Sequence, residues 1–357
     1  MGLAVKHRPK FFSEIYGQDN VVQVLKNQLA GVKRRQDDPS YGGGVGIEIR
    51  HAYLFTGGAG TGKTTAARIF AQQLGAETIE VDAASNNGVD DVRKIREECR
   101  YRSLTAAYKV YIIDEVHMLS TGAFNALLKT LEEPPAHVIF ILCTTDPHKI
   151  PSTILSRCQR FDFKRVPLDL VVNRLKVIIC VENDEADPTG AGDMYSVTPE
   201  ALEYIAKLTD GGMRDAISLL ETCLDHTTEL DVEQVEQILG QSSYSDCLSI
   251  ATMVVTKDLK GVIEAIEDIH NDGKDLKQFV RRFMEFTIEL AKAHMFKNLG
   301  FTKIPSLYEK QVFELLDLVL ENGILLRQWF VVLNELSSMI RYESHPKVLI
   351  QGVFLQL

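Results

Sequence analysis

The chain has 357 residues, of which 45% are hydrophobic and 25% are charged, an ordinary composition for a folded protein of two or three domains. It contains no apolar stretch of about eighteen residues, and its N-terminal segment reaches charge too early for a secretory signal. We therefore expect a cytoplasmic protein with no membrane segment. The six cysteines form no C-x-x-C pair, which argues against a disulfide framework or a zinc cluster.

The net charge of −10 is unevenly distributed. Residues 1–165 carry 22 Lys and Arg against 18 Asp and Glu, whereas residues 166–357 carry 17 against 31. The two halves are therefore expected to face different partners. An acidic total does not exclude nucleic acid, because phosphate contacts need only a local basic surface.

Short apolar runs alternate with amphipathic stretches through residue 165. In chain order these predicted strands and helices are AYLFTG, TTAARIFAQQLG, TIEVDA, VDDVRKIREECRYR, KVYIID, GAFNALLKTLEE and VIFILCTT. Such alternation predicts a parallel sheet with helices on both faces, whose ligands bind at the carboxyl ends of the strands. The glycine-rich segment 39–46 lies within an insertion at 33–50 and predicts an exposed, mobile loop.

Helical periodicity replaces the strand pattern from about residue 166. Two helices are predicted on either side of Gly211 and Gly212. A further all-helical stretch follows, in which apolar residues recur three and four positions apart, as in helices that pack on one another. We predict three domains, at 1–165, 166–240 and 241–357.

The segment GGAGTGKTT, which starts at Gly57, matches the pattern G-x-x-x-x-G-K-[ST]. A predicted strand precedes it and a predicted helix follows, which is the context that a phosphate-binding loop requires. Lys63, expected on an exposed loop, would reach the β- and γ-phosphates, and Thr64 would bind Mg²⁺. The segment is therefore interpreted as a phosphate cradle rather than a flexible linker.

A second acidic motif follows the phosphate loop. The predicted strand at 110–113 delivers Asp114 and Glu115 at its end. The first carboxylate can hold the Mg²⁺ shell and the second can polarise an attacking water. Together with the phosphate loop, this pair predicts hydrolysis of a nucleoside triphosphate.

Three further residues are candidates for sensing or neutralising phosphate charge. Thr145 ends the strand VIFILCTT, where a polar side chain can sense the γ-phosphate. Arg157 and Arg214 are candidate guanidinium groups for the transition state. Spacing alone does not separate these arginines from ordinary surface arginines.

Four segments carry a resemblance to a known family. HAYLFTGGAGTGKTTAARIFA, KVYIIDEVHMLSTGAFNALLKTLEEPP, ILCTTDPHKIPSTILSRCQRFDF and GGMRDAISLL closely resemble the gamma/tau subunits of bacterial DNA polymerase III. These subunits are the AAA+ ATPases of the sliding-clamp loader. The resemblance covers about residues 4–240, and NALLKTLEEPP with SRC is specific to clamp-loader ATPases, including the more distant replication factor C small subunits.

The resemblance implies an α/β P-loop NTPase fold of the AAA+ class, with a helical lid domain and a C-terminal helical collar domain. It also implies a pentameric ring that contains further copies of the chain and delta- and delta-prime-like subunits. Such a ring uses ATP and Mg²⁺ to open a sliding clamp and place it on primer-template DNA.

The family's functional positions can be carried over to matching residues. Thr145 matches sensor 1, Arg157 matches the arginine finger that acts on a neighbour's ATP, and Arg214 matches sensor 2. The resemblance further implies nucleotide contacts from the segment that frames the adenine and from the phosphate loop; these residues are Arg8, Pro9, Tyr16, Gly17, Gln18, Gly58, Gly60, Thr61, Gly62, Lys63, Thr64 and Thr65.

A DNA-contacting face is predicted on the helix after the second strand. Arg93, Arg96 and Arg100 lie at i, i+3 and i+7 and would share one helix face, although a solvated face is the alternative. Arg93, Lys129 and Thr153 match family DNA-contact positions, so we predict DNA contacts at Arg93, Arg96, Lys129 and Thr153. Asn86 and Gly88 depart from the family, which often has basic residues there.

The chain also departs from the family in two larger features. It lacks the four-cysteine zinc module, so no zinc is expected, and it lacks the long extension of tau subunits. It resembles a short gamma form, a trimmed longer chain or a compact viral version. The stoichiometry, the clamp, the polymerase and the role of the insertion at 33–50 stay open.

The sequence disfavours two alternative functions. An ATPase-silent ring subunit of the delta-prime type is disfavoured by intact Lys63, Asp114 and Glu115. A DNA-remodelling AAA+ motor, such as a branch-migration helicase, is disfavoured because no translocating hairpin is recognisable.

Overall fold

The computed structural model describes residues 2–37, 49–186, 194–239, 244–271, 275–340, 343 and 346–355. The predicted loop at 39–46 lies outside the described residues. The strands are β1 (Ala52–Gly57), β2 (Glu77–Asp82), β3 (Lys109–Asp114), β4 (Val138–Thr144), β5 (Gln159–Phe163), β6 (Ser196–Val197) and β7 (Glu229–Leu230).

The helices are α1 (Leu3–Lys6), α2 (Asp19–Asp37), α3 (Lys63–Leu74), α4 (Val89–Glu98), α5 (Thr121–Glu132), α6 (Ser152–Leu155), α7 (Leu168–Ala186), α8 (Pro199–Leu208), α9 (Met213–Leu224), α10 (Val232–Ile238), α11 (Tyr244–Val255), α12 (Leu259–Asn271), α13 (Leu276–Phe296), α14 (Glu309–Glu321), α15 (Leu326–Met339) and α16 (Pro346–Phe354). Single 3₁₀ turns occur at Phe12–Glu14, Val116–Met118, Pro147–Lys149 and Ser306–Tyr308.

The chain forms two compact units. The first contains Met1–Arg174 and Thr209–Ser218, and the second contains Leu175–Leu208 and Leu219–Leu357. The predicted division into three domains at residues 165 and 240 stays a prediction.

The first unit is built on a five-stranded sheet in the order β2-β3-β4-β1-β5, with all neighbours parallel. The predicted parallel sheet is therefore confirmed. β5 was not predicted, because QRFDF is short and polar and alternates exposed with buried residues, as an edge strand does. The central strands are buried on both faces and read as continuous apolar runs.

Helices cover both faces of this sheet. Side chains of α2 and α3, including Leu25 and Phe70, pack with one face around Tyr53 and Phe55. Side chains of α4, α5 and α6, including Phe124 and Ile154, pack with the other face. The sheet is therefore sandwiched between two helical layers.

The strand order brings the predicted motifs to one edge of the sheet. β1 ends at the phosphate loop, β3 ends at Asp114, and β4, which lies between them, ends at Thr144. Because parallel strands have their carboxyl ends on the same edge, the loops after them converge there.

The second unit is almost wholly helical among its described residues, as predicted, but it also contains the two-residue parallel strands β6 and β7, which were not predicted. Its core is aromatic: the Phe283 ring lies 4.9 Å from Phe354 and 6.2 Å from Trp329, measured between centroids. In the described parts of the chain, none of the helices combines the length and apolarity needed to cross a bilayer.

Candidate nucleotide-binding site

A cleft of about 430 Å³ opens in the first unit at the carboxyl edge of the sheet. Its walls come from the N-terminal segment, the phosphate loop, the ends of β2 and β3, and the start of α9. The predicted site residues that line it are Arg8, Pro9, Tyr16, Gly60, Thr61, Gly62, Lys63, Thr64, Thr65, Asp114, Glu115 and Arg214. The structure thus brings together most of the predicted nucleotide site.

The phosphate loop has a backbone that only glycine adopts readily. Gly60 has φ +67° and Gly62 has φ +100°, both in the left-handed region. Gly62 is the N-cap of α3, and no side chain caps that helix end. The N-terminus of α3 therefore presents backbone N–H groups and the positive end of its dipole towards the cleft, which suits a phosphate.

Lys63 is bonded within the loop. Its Nζ donates to the carbonyl oxygens of Gly57 at 2.9 Å and Gly58 at 2.8 Å. The expectation of an exposed loop position is wrong: Lys63 is the first residue of α3 and only 6% exposed. Burial lowers the pKa of its ammonium group, and nearby Glu115, Cys143 and Asp114 partly oppose that shift.

A hydroxyl and a carboxylate meet beside the lysine. Thr64 Oγ1 donates to Asp114 Oδ2 at 2.8 Å. This pair fits Mg²⁺, which proteins commonly hold through one or two oxygen ligands while substrate phosphates and waters complete its shell.

The other acidic residue points to the neighbouring strand. Glu115 Oε2 accepts from the Thr145 backbone N at 3.2 Å and from Thr145 Oγ1 at 3.0 Å. His117 Nδ1 lies 3.2 Å from the same oxygen. Thr145 does not line the cleft, but it is hydrogen-bonded to Glu115, which does. His117 was not singled out from the sequence.

Arg8, Pro9 and Tyr16, which the family resemblance predicts to frame the adenine, line the wall of the cleft that the N-terminal segment forms. Arg174, which no sequence pattern singled out, donates from Nη2 to the His7 carbonyl at 2.7 Å, and its guanidinium lies 5.8 Å from the Tyr16 ring centroid. It therefore ties the N-terminal segment to α7.

Three predicted nucleotide contacts, Gly17, Gln18 and Gly58, do not line the cleft. Gln18 is buried: its Nε2 donates to the Lys164 carbonyl at 2.7 Å, and its Oε1 accepts from the Lys164 backbone N at 3.1 Å. Gln18 thus joins the loop before α2 to the chain after β5, and its Nε2 also lies 3.5 Å from the Thr61 carbonyl of the phosphate loop.

The two candidate arginines lie in different places. Arg214 is exposed and lines the cleft at the start of α9, where the adjacent Met213 N donates to the Gly60 carbonyl at 3.1 Å. Arg157 does not line the cleft. It donates to Glu132 Oε1 and to the Thr153 carbonyl, both at 2.8 Å.

The predicted DNA-contact residues occupy the helical layer of α4, α5 and α6. Arg93, Lys129 and Thr153 are exposed, and Arg93 pairs with Asp90 at 2.8 Å. Arg96 is only half-exposed, and its Nε is buried without a hydrogen-bond partner.

The expected three-arginine helix face is therefore wrong. The helix ends at Glu98, so Arg100 lies beyond it, and Arg96 turns partly inwards. The DNA contacts predicted at Arg93, Arg96, Lys129 and Thr153 stay predictions.

One ion pair in the cleft wall was missed. Arg68 Nε donates to Glu80 Oε2 at 2.7 Å, and both side chains line the cleft. Arg68 lies four residues after Thr64, so helical spacing on α3 would have placed it on the same face.

We expect Gly57→Ala to destabilise the protein by about 2–5 kcal/mol. Gly57 has φ +149°, and an added Cβ would lie 2.3 Å from the Phe163 carbonyl oxygen. Gly58→Ala is the matched control, because its nearest neighbouring atom would be 3.8 Å away, and it should change the free energy of unfolding by less than about 1 kcal/mol. Urea unfolding without nucleotide measures both, and equal effects would contradict the expected collision.

Comparison with protein-family models gives two matches. Residues 77–167 match the model described as DNA polymerase III, delta subunit. Residues 230–338 match the model described as DNA polymerase III subunits gamma and tau domain III.

Among solved structures, the chain is similar to the Thermotoga maritima RuvB Holliday junction branch migration motor. The TM-score is 0.50 at 21% identity, covering 76% of this chain and 88% of that one. At this identity the likeness supports the P-loop fold with its flanking helices and says nothing of activity.

Curated relatives are more similar in sequence. The chain is 42% identical over 293 residues to the DNA polymerase III subunit tau of Bacillus subtilis, covering 75% of this chain and 47% of that protein. It is 31% identical over 335 residues to the DNA polymerase III subunit gamma of Buchnera aphidicola from Acyrthosiphon pisum, covering 87% and 86%. The chain thus spans about half the length of the tau subunits that it matches and most of the short gamma subunit. It belongs to the gamma/tau subunit family of DNA polymerase III.

Proposed function

We propose that the chain is the ATP-hydrolysing motor subunit of a clamp loader, which opens a sliding clamp and loads it onto primer-template DNA during replication. The observation that carries this is the convergence of Lys63, the Thr64–Asp114 pair and Glu115 at one edge of the sheet, beside a cleft of nucleotide size. Membership of the gamma/tau family connects the proposed ATP hydrolysis with DNA replication.

The residues divide the proposed chemistry between binding and hydrolysis. The α3 N-terminus and Lys63 bind the phosphates, and Arg214 reaches them from the start of α9. Thr64 and Asp114 would hold Mg²⁺, which supplies positive charge against the phosphate oxygens. Glu115 orients the attacking water and accepts its proton, and Thr145 lies beside it as a γ-phosphate sensor.

The proposed partners are delta- and delta-prime-like subunits and further copies of this chain in a pentameric ring, together with a sliding clamp and DNA. The position of Arg157 outside the cleft supports an action on a neighbouring subunit's ATP. Such a role places the protein in the cytoplasm.

The decisive experiment measures ATP hydrolysis and clamp loading by the chain mixed with the clamp, primer-template DNA and the other subunits from the same genome. Stimulation of hydrolysis by clamp and DNA together is expected. Hydrolysis without any loading would favour a DNA-remodelling motor instead, and loading without hydrolysis by this chain would favour an ATPase-silent subunit.

Glu115→Gln should keep ATP binding while hydrolysis falls by about 10²–10⁴-fold, because only activation of water is lost. The complex should accumulate in its clamp-bound form. Equilibrium binding of labelled ATP checks the first part, and complete loss of affinity would contradict the assigned role.

Metal analysis of the purified chain should find no stoichiometric zinc. The four-cysteine module is missing, and within the described residues no group of three His, Cys, Asp or Glu side chains is placed to hold a metal. One tightly bound zinc per chain would contradict the prediction that this chain lacks the family's zinc module.

A further inference from the structure

The segment Thr209–Ser218 belongs to the compact unit of the sheet, although the chain on both sides of it, Leu175–Leu208 and Leu219–Leu357, belongs to the second unit. It contains the first half of α9 and with it Arg214, the exposed arginine that lines the cleft. Because neither covalent neighbour of this segment belongs to the first unit, contacts with that unit hold the segment in place.

One set of contacts joins the segment to the phosphate loop, backbone to backbone. Met213 N donates to the Gly60 carbonyl at 3.1 Å. A Cβ added at Gly60 would lie 3.2 Å from Arg214 N and 3.2 Å from Gly212 Cα, so the two main chains touch. A residue without a Cβ is needed in the loop for so close an approach.

A second set of contacts fastens the same segment to the chain after β5. The Gly211 carbonyl accepts from Val166 N at 3.1 Å. One residue earlier in each segment, Arg165 forms an ion pair with Asp210. These bonds are all internal to the protein, so the protein itself fixes where α9 begins.

The place of Met213 in α9 explains why its N–H can bond to another segment. Met213 is the first residue of the helix, and N–H groups of the first turn have no acceptor within their own helix. The Gly60 carbonyl satisfies this one. Because the peptide unit is planar and Arg214 is the next residue, fixing Met213 N also fixes the point at which the Arg214 side chain leaves the helix.

We propose that Met213 is a positioning residue: its hydrogen bond to the Gly60 carbonyl holds Arg214 at the phosphate end of the cleft and thereby strengthens ATP binding. A guanidinium group on an anchored backbone loses less conformational freedom when it meets a phosphate. This proposal rests on the nucleotide site and the ATPase function proposed above.

Two substitutions of Met213 separate the effect of its N–H from that of its side chain. Met213→Pro removes the N–H, and proline is well accepted at the first position of a helix. Met213→Leu also replaces the side chain but keeps the N–H. We expect M213P to bind a non-hydrolysable ATP analogue about threefold to tenfold more weakly than M213L, which is the effect of one lost hydrogen bond. Equal affinities of the two folded variants would overturn the proposal.

Combination with Arg214→Ala tests whether Met213 acts through Arg214. In that background M213P and M213L should bind the analogue with affinities within about twofold of each other, because no guanidinium group is left to position. A merely structural role of the N–H would keep the full difference between them, and that result would overturn the proposal. The unfolding midpoint of each variant shows whether its fold is kept.

Amide hydrogen exchange tests the hydrogen bond without nucleotide and without any substitution. Since the Met213 N–H has no acceptor in its own helix, its protection in the parent chain reports on the Gly60 carbonyl. We expect exchange at least about tenfold slower than in an unstructured peptide. Exchange at the peptide rate would overturn the proposal, even if M213P failed to fold. A chain that binds the analogue but hydrolyses no ATP with all partners present would instead defeat the proposed ATPase, and the affinities would still decide the role of Met213.

Discussion

Lys63→Ala is expected to lower ATP hydrolysis by at least about 10²–10³-fold in kcat, with ATP affinity about tenfold to a hundredfold weaker. In the proposed site the ammonium group is the loop's cation for the phosphates, and the carbonyls of Gly57 and Gly58 hold it in place. A truncated side chain leaves the β- and γ-phosphates without that partner in both the ground state and the transition state. Steady-state hydrolysis and equilibrium binding of labelled ATP measure the two effects.

Because Lys63 is buried, the same substitution also removes two hydrogen bonds inside the protein. It removes the cost of burying an ammonium group at the same time, so we expect the free energy of unfolding to change by no more than about 1–2 kcal/mol. Lys149→Ala is the control: Lys149 is exposed, pairs with Asp146 at 3.2 Å and does not line the cleft. Near-normal hydrolysis by a folded Lys63→Ala protein would contradict the phosphate-loop assignment.

The sequence was most informative where local pattern and chemistry agree. The strand AYLFTG, the glycine loop and the helix after it are each specified by nearby residues, so β1, the loop and α3 lie where the pattern predicts them. The position of Asp114 at the end of β3 also follows from the apolar pattern of that strand. Because the sheet order places β4 between β1 and β3, Thr145 reaches Glu115 in space, which the spacing of these residues along the chain does not show.

The errors and omissions concern long-range contacts. Whether Lys63 is exposed depends on how the loop folds over it, and the inward turn of Arg96 depends on packing beneath α4. The family signal for nucleotide binding at Gln18 stays a prediction, and the sequence did not show that its amide also bonds to the Lys164 backbone, 146 residues away along the chain, and to the Thr61 carbonyl. Such contacts are set by tertiary structure, which no local periodicity encodes.

Arg157→Ala is expected to leave ATP binding by its own subunit intact while the neighbouring site loses about 10³-fold or more in hydrolysis. In this chain Arg157 does not line the cleft and pairs with Glu132 on the surface. An exposed ion pair of this kind contributes less than about 1 kcal/mol, so the guanidinium can leave Glu132 for a phosphate at little cost. Arg160→Ala is the matched control, since Arg160 is exposed in the same segment and pairs with Asp162; it should keep normal activity.

A mixture of two inactive variants tests whether Arg157 acts on its own site or on a neighbour's. A ring of Arg157→Ala chains has intact Lys63 sites with no finger, and a ring of Lys63→Ala chains has fingers with no working site. Only mixed rings pair an intact Lys63 with an intact Arg157 on the adjacent subunit, so part of the clamp- and DNA-dependent hydrolysis should return on mixing. This prediction applies when the other subunits allow two copies of the chain to be neighbours in the ring. Mass measurement of the assembled rings establishes this beforehand. Two outcomes would contradict this role: rings with adjacent copies that assemble yet stay inactive, or an Arg157→Ala chain that is fully active alone. Arg157 would then be a surface arginine. The charge of the transition state would have to be neutralised within one subunit, where Arg214 lines the cleft.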